Sequence, residues 1–267
     1  MNEASEILIK EKSSKGILRL TMNNLDQKNA LSETMISILK DELEDASTDQ
    51  SIRVIVLAAN GNVFCSGHDL KEITSARENQ DNGHAFFHRL FDHCSILMQL
   101  IVNSPQPVIA EVDGIATAAG CQLVASCDLA IASTESKFAT PGVNIGLFCS
   151  TPMVALSRNV QKKNAMEMLL TGDFINAEKA KEIGLINNVV DKDDLSEEVN
   201  ILAEKIASKS SMTVSIGKKA FYAQADMDLS EAYKYTSKIM SDNLLKDDAK
   251  EGIDAFIEKR KPDWKDK

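Results

Sequence analysis

The sequence predicts an α/β fold followed by a purely helical C-terminal region. Three observations carry this. Short apolar runs alternate with segments of helical spacing through the first half of the chain, and strands alternating with helices imply layered α/β architecture. After about residue 212 every apolar pattern has the helical period. Gly and Pro are scarce, 12 and 5 of 267 residues, against a hydrophobic fraction of 43%; that removes collagen-like and disordered readings and leaves enough apolar mass for a substantial core. The chain divides here into a core over residues 1–195 and a helical region over 196–267. An appendage of that length either folds back or packs on another subunit.

The elements follow in order. Residues 6–22 alternate around SSKG and read as a β-hairpin turning at Gly16. Ser32 caps a helix over about 33–46. RVIVLAA (53–59) is a buried strand, and NGNVFCSGHDL is a Gly- and Asn-rich loop. Phe87, Leu90, Phe91, Cys94, Leu97, Met98 and Ile101 share one face of a helix over 84–102, which SPQP stops. PVIAEVDG (107–114) and DLAIAS (128–133) are further strands, separated by a helix over 119–127 that opens on small residues, where a backbone or ligand can approach closely. TPGVNIGLFCSTP (140–152) is a long irregular loop. Helices follow at about 155–170, 177–183, 192–208, 214–224, 229–243 and 246–258.

Charge narrows the function. Lys+Arg is 30 and Asp+Glu is 40, a net charge of −10. With no basic block, nucleic-acid phosphates and anionic membranes are repelled rather than bound. No apolar run approaches the ~18 residues of a spanning helix. The five cysteines (Cys65, Cys94, Cys121, Cys127, Cys149) are odd in number and match no zinc spacing, which predicts free thiols. The N-terminus is acidic, unlike a secretory signal or an Arg-rich transit peptide. Together these predict a cytoplasmic protein. His84 and His88 are spaced as a helical metal pair with His93 nearby, but no carboxylate completes a triad, so no metal is expected.

FCSGHDLKE and DGIATAAGCQLVASCDLAIAS resemble the crotonase family, the enoyl-CoA hydratases and isomerases. KNAL (28–31), VIVLAANGNVFCSGHDL (54–70), PVIAEVDG (107–114), LLTGDFINAEKAKEIGLINNVV (169–190) and EGIDAFIEKRKP (251–262) fall in that family's order, so the resemblance covers most of the chain. It implies a spiral of ββα units with a helical C-terminal region that assembles homotrimers or dimers of trimers. It implies a coenzyme A thioester as substrate or ligand and no covalently bound cofactor. It further implies an oxyanion hole of two backbone N–H groups, those of His68 and Ala119. Such donors stabilise the charge that grows on a thioester carbonyl as an enolate forms, each contributing about 10²–10³ in rate. Ala119 stands where the family usually has Gly.

Two positions depart from the family pattern. Its hydratases carry two glutamates; here those positions are Gln122 and Gly142. Gln exchanges no proton at neutral pH and Gly has no side chain, while general acid–base groups contribute about 10²–10⁴-fold each. Classical hydratase activity is therefore expected to be low. Four explanations stay open: binding without much catalysis; other residues doing the chemistry, with His68 and Asp69 the nearest; a water or anion acting as base in the slot left by Gly142; or a slip of alignment between 128 and 142. Gln122 would orient a water or the thioester, or simply be a satisfied polar residue. Asp69 suits a turn-capping role as well as catalysis. Cys65 and Cys149 read as small core residues rather than nucleophiles. Lys28, Lys71 and Lys259 are candidates for the CoA phosphates, with Ala30, Leu70 and Phe256 beside them; Phe256 and Lys259 would come from a neighbouring subunit. Phe86, Phe87 and Met98 are candidates for the acyl pocket, with core packing the competing reading.

Overall fold

In a computed structural model, residues 7–267 are described; the expected start of the hairpin at residue 6 lies outside them. β1 (Leu8–Lys12) and β2 (Ile17–Met22) form the antiparallel hairpin. Gly16 turns it at φ +79°, a conformation side chains rarely adopt. α1 (Glu33–Thr48) follows, its first turn closed by Ser32, which accepts from the Met35 N–H.

The next three passes of the chain repeat one pattern. β3 (Val54–Ala59) is followed by β4 (Val63–Cys65), then by α2 (Leu70–Ala76) and α3 (His84–Asn103). β5 (Val108–Val112) is followed by β6 (Ile115–Thr117) and α4 (Ala119–Ser126). β7 (Leu129–Ser133) is followed by β8 (Lys137–Ala139), a 3-10 turn at Pro141–Ile145, α5 (Pro152–Asn159) and α6 (Lys162–Thr171). The first strand of each pair joins a six-stranded sheet, the second a four-stranded one. With β9 (Ile175–Asn176) and β10 (Asn188–Val190), the sheet orders are β1-β2-β3-β5-β7-β10 and β4-β6-β8-β9. This is the expected ββα spiral. All pairings are parallel except the hairpin and β8 with β9.

β3 is buried along nearly its whole length, which explains its unbroken apolar sequence. Its side chains serve two cores. One lies against α1 and α3 and contains Leu39, Leu57, Leu90 and Leu97. The other contains Val54, Val56, Ile109 and Ile131 beneath Leu195, Val199, Ala203 and Ala207, the i, i+4 stripe of the helix α8 (Leu195–Ala207). α7 (Ala177–Glu182), α9 (Ser211–Gln224), α10 (Leu229–Leu244) and α11 (Asp247–Glu258) complete the chain.

Three segments differ from expectation. The helix expected at 155–170 is two helices, because Val160 is extended (ψ 143°); Asn159 ties the break to α4 by donating to Ala125 O at 2.8 Å. β4 falls in a segment read as loop, and α2, β6, β8 and β9 in stretches assigned no strand or helix of their own. The helix expected from 192 begins with a 3-10 turn at Lys192–Asp194.

Candidate active site

The site is built where β4 and β6 end. Their following loops are stitched together: Thr117 Oγ1 donates to Ser66 O (3.1 Å). A Cβ built on Gly67 would lie 2.9 Å from Ala118 Cβ and 3.3 Å from Ala119 N, and one on Gly120 would lie 2.2 Å from Cys65 O. Only glycine allows that approach at either point. Residues 28–31 run along the other side of the same loop. Ser66 N–H donates to Lys28 O (3.2 Å), and Leu31 N–H donates to Gly67 O (2.8 Å). Leu31 O accepts from His68 Nδ1 at 3.1 Å. His68 Nδ1 is thereby a donor, so its neutral ring presents Nε2 as a bare acceptor. That Nε2 is buried without a partner, and Phe91 stands edge-on to the ring at 5.3 Å between centroids. Burial pushes the His68 pKa below its ordinary value.

Lys28, Ala30, His68, Asp69 and Ala119 are thus gathered by one small set of backbone contacts. Among the described residues, no acceptor takes the His68 N–H. Ala119 opens α4, so its N–H is one of the four that a helix leaves without an internal partner. The preceding residue, Ala118, sits at φ 51°, ψ −118°, outside the comfortable regions for an L-residue. That backbone turn is what starts the helix at 119. The helix dipole adds positive potential at the same end.

Asp69 is committed elsewhere. It is the N-cap of α2, and its Oδ1 accepts from the Lys71 N–H at 2.7 Å. Leu70 and Lys71 lie exposed on the first turn of that helix. Gln122 is one helical turn beyond Ala118 and buried. Its N–H donates to Ala118 O (3.0 Å), while its side-chain Oε1 has no partner. Gly142 lies in the 3-10 turn after β8, with Leu147 N–H donating to its carbonyl at 2.9 Å. A Cβ there would meet Leu147 O at 2.5 Å and Cys149 Sγ at 2.9 Å. The loop folds back over this position, so a carboxylate cannot be installed at 142 unless the Leu147 backbone moves. Glu135, the acidic residue closest before it, faces Lys192 instead (3.9 Å).

Beside His68, a cleft of about 350 Å³ is lined by His84, Phe87, His88, Phe91, Asp92 and Thr151. The His84 and His88 rings lie 4.7 Å apart, tilted by 54°; among the described residues no three His, Cys, Asp or Glu side chains form a metal-holding group. All five cysteines are free and buried. Burial raises the Cys65 thiol to about 12, against a nucleophilic role. Met98 is core and Phe86 packs against it, while Phe87 faces the cleft.

Phe256 and Lys259 lie away from this cluster. They end α11, whose main contact within the chain is α10, and Phe256 is 85% exposed.

Four residues went unremarked in the sequence reading or were noted only in passing. Asn29 is buried in the left-handed region and ties residues 24–31 to 60–63 through Asn60 O and Val63 O. Phe91 abuts His68. Ala118 carries the strained turn. Thr140 is fully buried with an unpartnered hydroxyl. Only Asn29 left a sequence signal, since Asn tolerates positive φ.

A sequence model of the enoyl-CoA hydratase/isomerase family matches residues 12–267. The chain belongs to this family. It is 50% identical over 249 residues to the mitochondrial enoyl-CoA hydratase domain-containing protein 3 of Xenopus laevis, covering 93% of this chain and 83% of the relative. The crystal structure of human enoyl-CoA hydratase domain-containing protein 3 superposes with a TM-score of 0.92 at 47% identity, covering 97% of this chain and all of that one. An enoyl-CoA hydratase from Mycobacterium smegmatis gives the same TM-score at 45% identity over 97% and 98% of the two chains.

The expected cytoplasmic location is overturned. The frog relative is named mitochondrial, and so are its counterparts from rat, mouse, human and zebrafish. The error has a physical reason: an organelle address is read from a leader, not from the net charge or thiols of the folded domain.

Proposed function

We propose that this family member binds an acyl-CoA thioester with its carbonyl oxygen between the His68 and Ala119 N–H groups, and hydrates enoyl-CoA poorly. The observation that carries this is the juxtaposition of two uncommitted donors at the 66–68 and 117–120 loops with a neutral amide at 122 and no side chain at 142. Donors preset at the developing oxyanion stabilise an enolate. Asp69, the carboxylate next to the His68 loop, is taken up in capping α2.

CoA is a polyphosphate, and Lys28 and Lys71, exposed on either side of the His68 loop, are the cations that meet it. Ala30 and Leu70 flank its pantetheine, and Phe256 and Lys259 are contributed by a neighbouring copy in a trimer or a dimer of trimers. Residues 1–195 then form the acyl-CoA core and 196–267 the assembling region. No cofactor is held covalently. The named location of the relatives supports a mitochondrial address.

The test is crotonyl-CoA hydration, followed at the conjugated thioester absorbance, with saturation binding of the same ligand. Binding with little turnover is expected, and His68→Pro, which deletes one N–H, should weaken binding while the thermal melt stays cooperative. Turnover typical of ordinary hydratases would overturn the low-hydratase reading; unchanged affinity in His68→Pro would overturn the oxyanion assignment. A second reading, a regulatory CoA-thioester binder, draws on the same neutral Gln122 and predicts no turnover of any thioester.

A further inference from the structure

The apolar face of α3 is longer than the core it packs on. Leu90, Cys94, Leu97, Met98 and Ile101 on that face are buried. Phe87 and Phe91 continue it toward the N-terminus and are not. Both turn instead to the cleft of about 350 Å³ that they share with His84, His88, Asp92 and Thr151. Four of these six lining residues are rings. Apolar surface that a core leaves open inside a concavity is what a ligand covers.

The chain itself holds this ring wall in place. The Phe87 ring lies against Gly83: a Cβ built on Gly83 would be 2.6 Å from Phe87 Cζ. Gly83 also sits at φ +87°, so a residue with a side chain is excluded twice over. Asp81 pins this turn by accepting from the Gly83 N–H (3.0 Å) and the Ala85 N–H (2.8 Å). The Arg77 guanidinium stands over the Phe87 ring, 5.7 Å from its centroid. Phe91 joins the cleft to the oxyanion segments, because its ring is the one edge-on to His68. Thr151 enters from the end of the loop that folds back over Gly142.

The lining sorts acyl groups by chemistry. A methylene chain against these rings gains burial alone. A planar ring gains burial and, in addition, offset or edge-on contacts with the aromatic walls. The volume stands at the small end of the range for ligand pockets, about 300–1,000 Å³, which suits one ring on a short link better than a long chain. Asp92 brings negative charge to the lining and repels an acyl group that ends in a carboxylate.

We propose that this cleft selects an uncharged aromatic acyl group, so that the preferred ligand is an aryl-substituted acyl-CoA thioester, with Phe87 and Phe91 determining the choice. The inference rests on the oxyanion-hole reading, which sets the thioester carbonyl at the His68 N–H and sends the acyl tail past Phe91.

The experiment is saturation binding to the full chain. Cinnamoyl-CoA is compared with trans-2-nonenoyl-CoA, an enoyl thioester with the same number of acyl carbons and no ring, and acetyl-CoA is run alongside. Cinnamoyl-CoA should bind about 10-fold more tightly than the straight chain, the sum of two favourable ring contacts. Phe87→Leu and Phe91→Leu keep apolar bulk and remove a ring, and each should cut that ratio about 3-fold. The ratio is the reading, because a variant that merely loosens α3 weakens both ligands alike; thermal melts accompany each variant. Cinnamoyl-CoA bearing a ring carboxylate should bind more weakly than cinnamoyl-CoA, with Asp92→Asn narrowing the gap. Acetyl-CoA binding with equal affinities for the ring and the straight chain overturns the aromatic selection and leaves the oxyanion reading standing. No binding of any thioester overturns the reading beneath it. A ring preference that survives both Phe substitutions overturns the assignment to these side chains, and equal affinity for the charged and uncharged rings overturns the exclusion of charge.

Discussion

At the scale of single residues, His68 is the one side chain in the site whose charge is set by its surroundings. Burial lowers its pKa below the ordinary value of 6.5, partly countered by the bond to Leu31 O. As pH falls through about 6.5, the unfolded chain takes up this proton before the folded one does. The contribution is therefore complete above the unfolded value and is lost on acidification toward the folded value. Urea midpoints at pH 8, 6.5 and 5.5 should fall for the native chain and fall less for His68→Gln, which carries no titrating ring. Equal slopes would show that other groups set the pH dependence. The close approach at 117–120 was legible at this scale, because small residues there admit a neighbouring backbone; His68 was reached only through the family resemblance. Thr140 and Ala118 were not. Their significance lies in an unpaired hydroxyl and a strained φ, properties of a fold rather than of a residue type. Gly142 was legible as a missing carboxylate, but not as a position walled by Leu147.

At the scale of elements, the long strands and helices could be read from periodicity, while β4, β6, β8 and β9 could not. Strands of two or three residues are too short for an alternation to show. β4 lay in a stretch read as loop and the others in stretches given no element, although this small sheet sets the His68 and Ala119 segments side by side. A second feature invisible in sequence is the attachment of α9 to the core. Lys218, almost fully buried, donates to Ile101 O (2.9 Å), Gln106 O (3.0 Å) and Asp128 Oδ2 (2.7 Å). Tyr222 OH donates to Asp128 Oδ1 at 2.9 Å, and Val108 N–H donates to Oδ2 at 2.7 Å. One ammonium thus joins the ends of α3 and α4 to the C-terminal helices. Removing one partner of such a pair leaves a buried charge uncompensated, which costs roughly 3–5 kcal/mol. Lys218→Met should lower the unfolding free energy by about that amount. Hydrogen exchange should rise first in residues 211–258 while β3 and β5 stay protected; uniform acceleration would mean that the latch belongs to the global core.

At the scale of the whole molecule, the core satisfies itself and the C-terminal helices do not. α10 has no buried residue, and Leu229, Tyr233, Met240 and Leu244 on it are all exposed. Leu245, Phe256 and Ile257 extend the apolar surface, at 71–85% exposure. Single exposed apolar residues need no explanation, but a set on α10, α11 and the turn between them is what a surface covered by another protein would present. A second and third copy of this chain, docked head to tail and closing a ring, would cover it. The same docking gives Phe256 and Lys259 a role, since within one chain their helix packs chiefly on α10. Phe256→Asp places a charge where the ring contact is expected. Its solution mass, by light scattering, should fall from a multiple of three chains to one, and its acyl-CoA affinity should fall with it. A monomeric variant that keeps full affinity would show that each chain completes its own CoA site. A variant that stays a trimer would place the contact on another face of these helices.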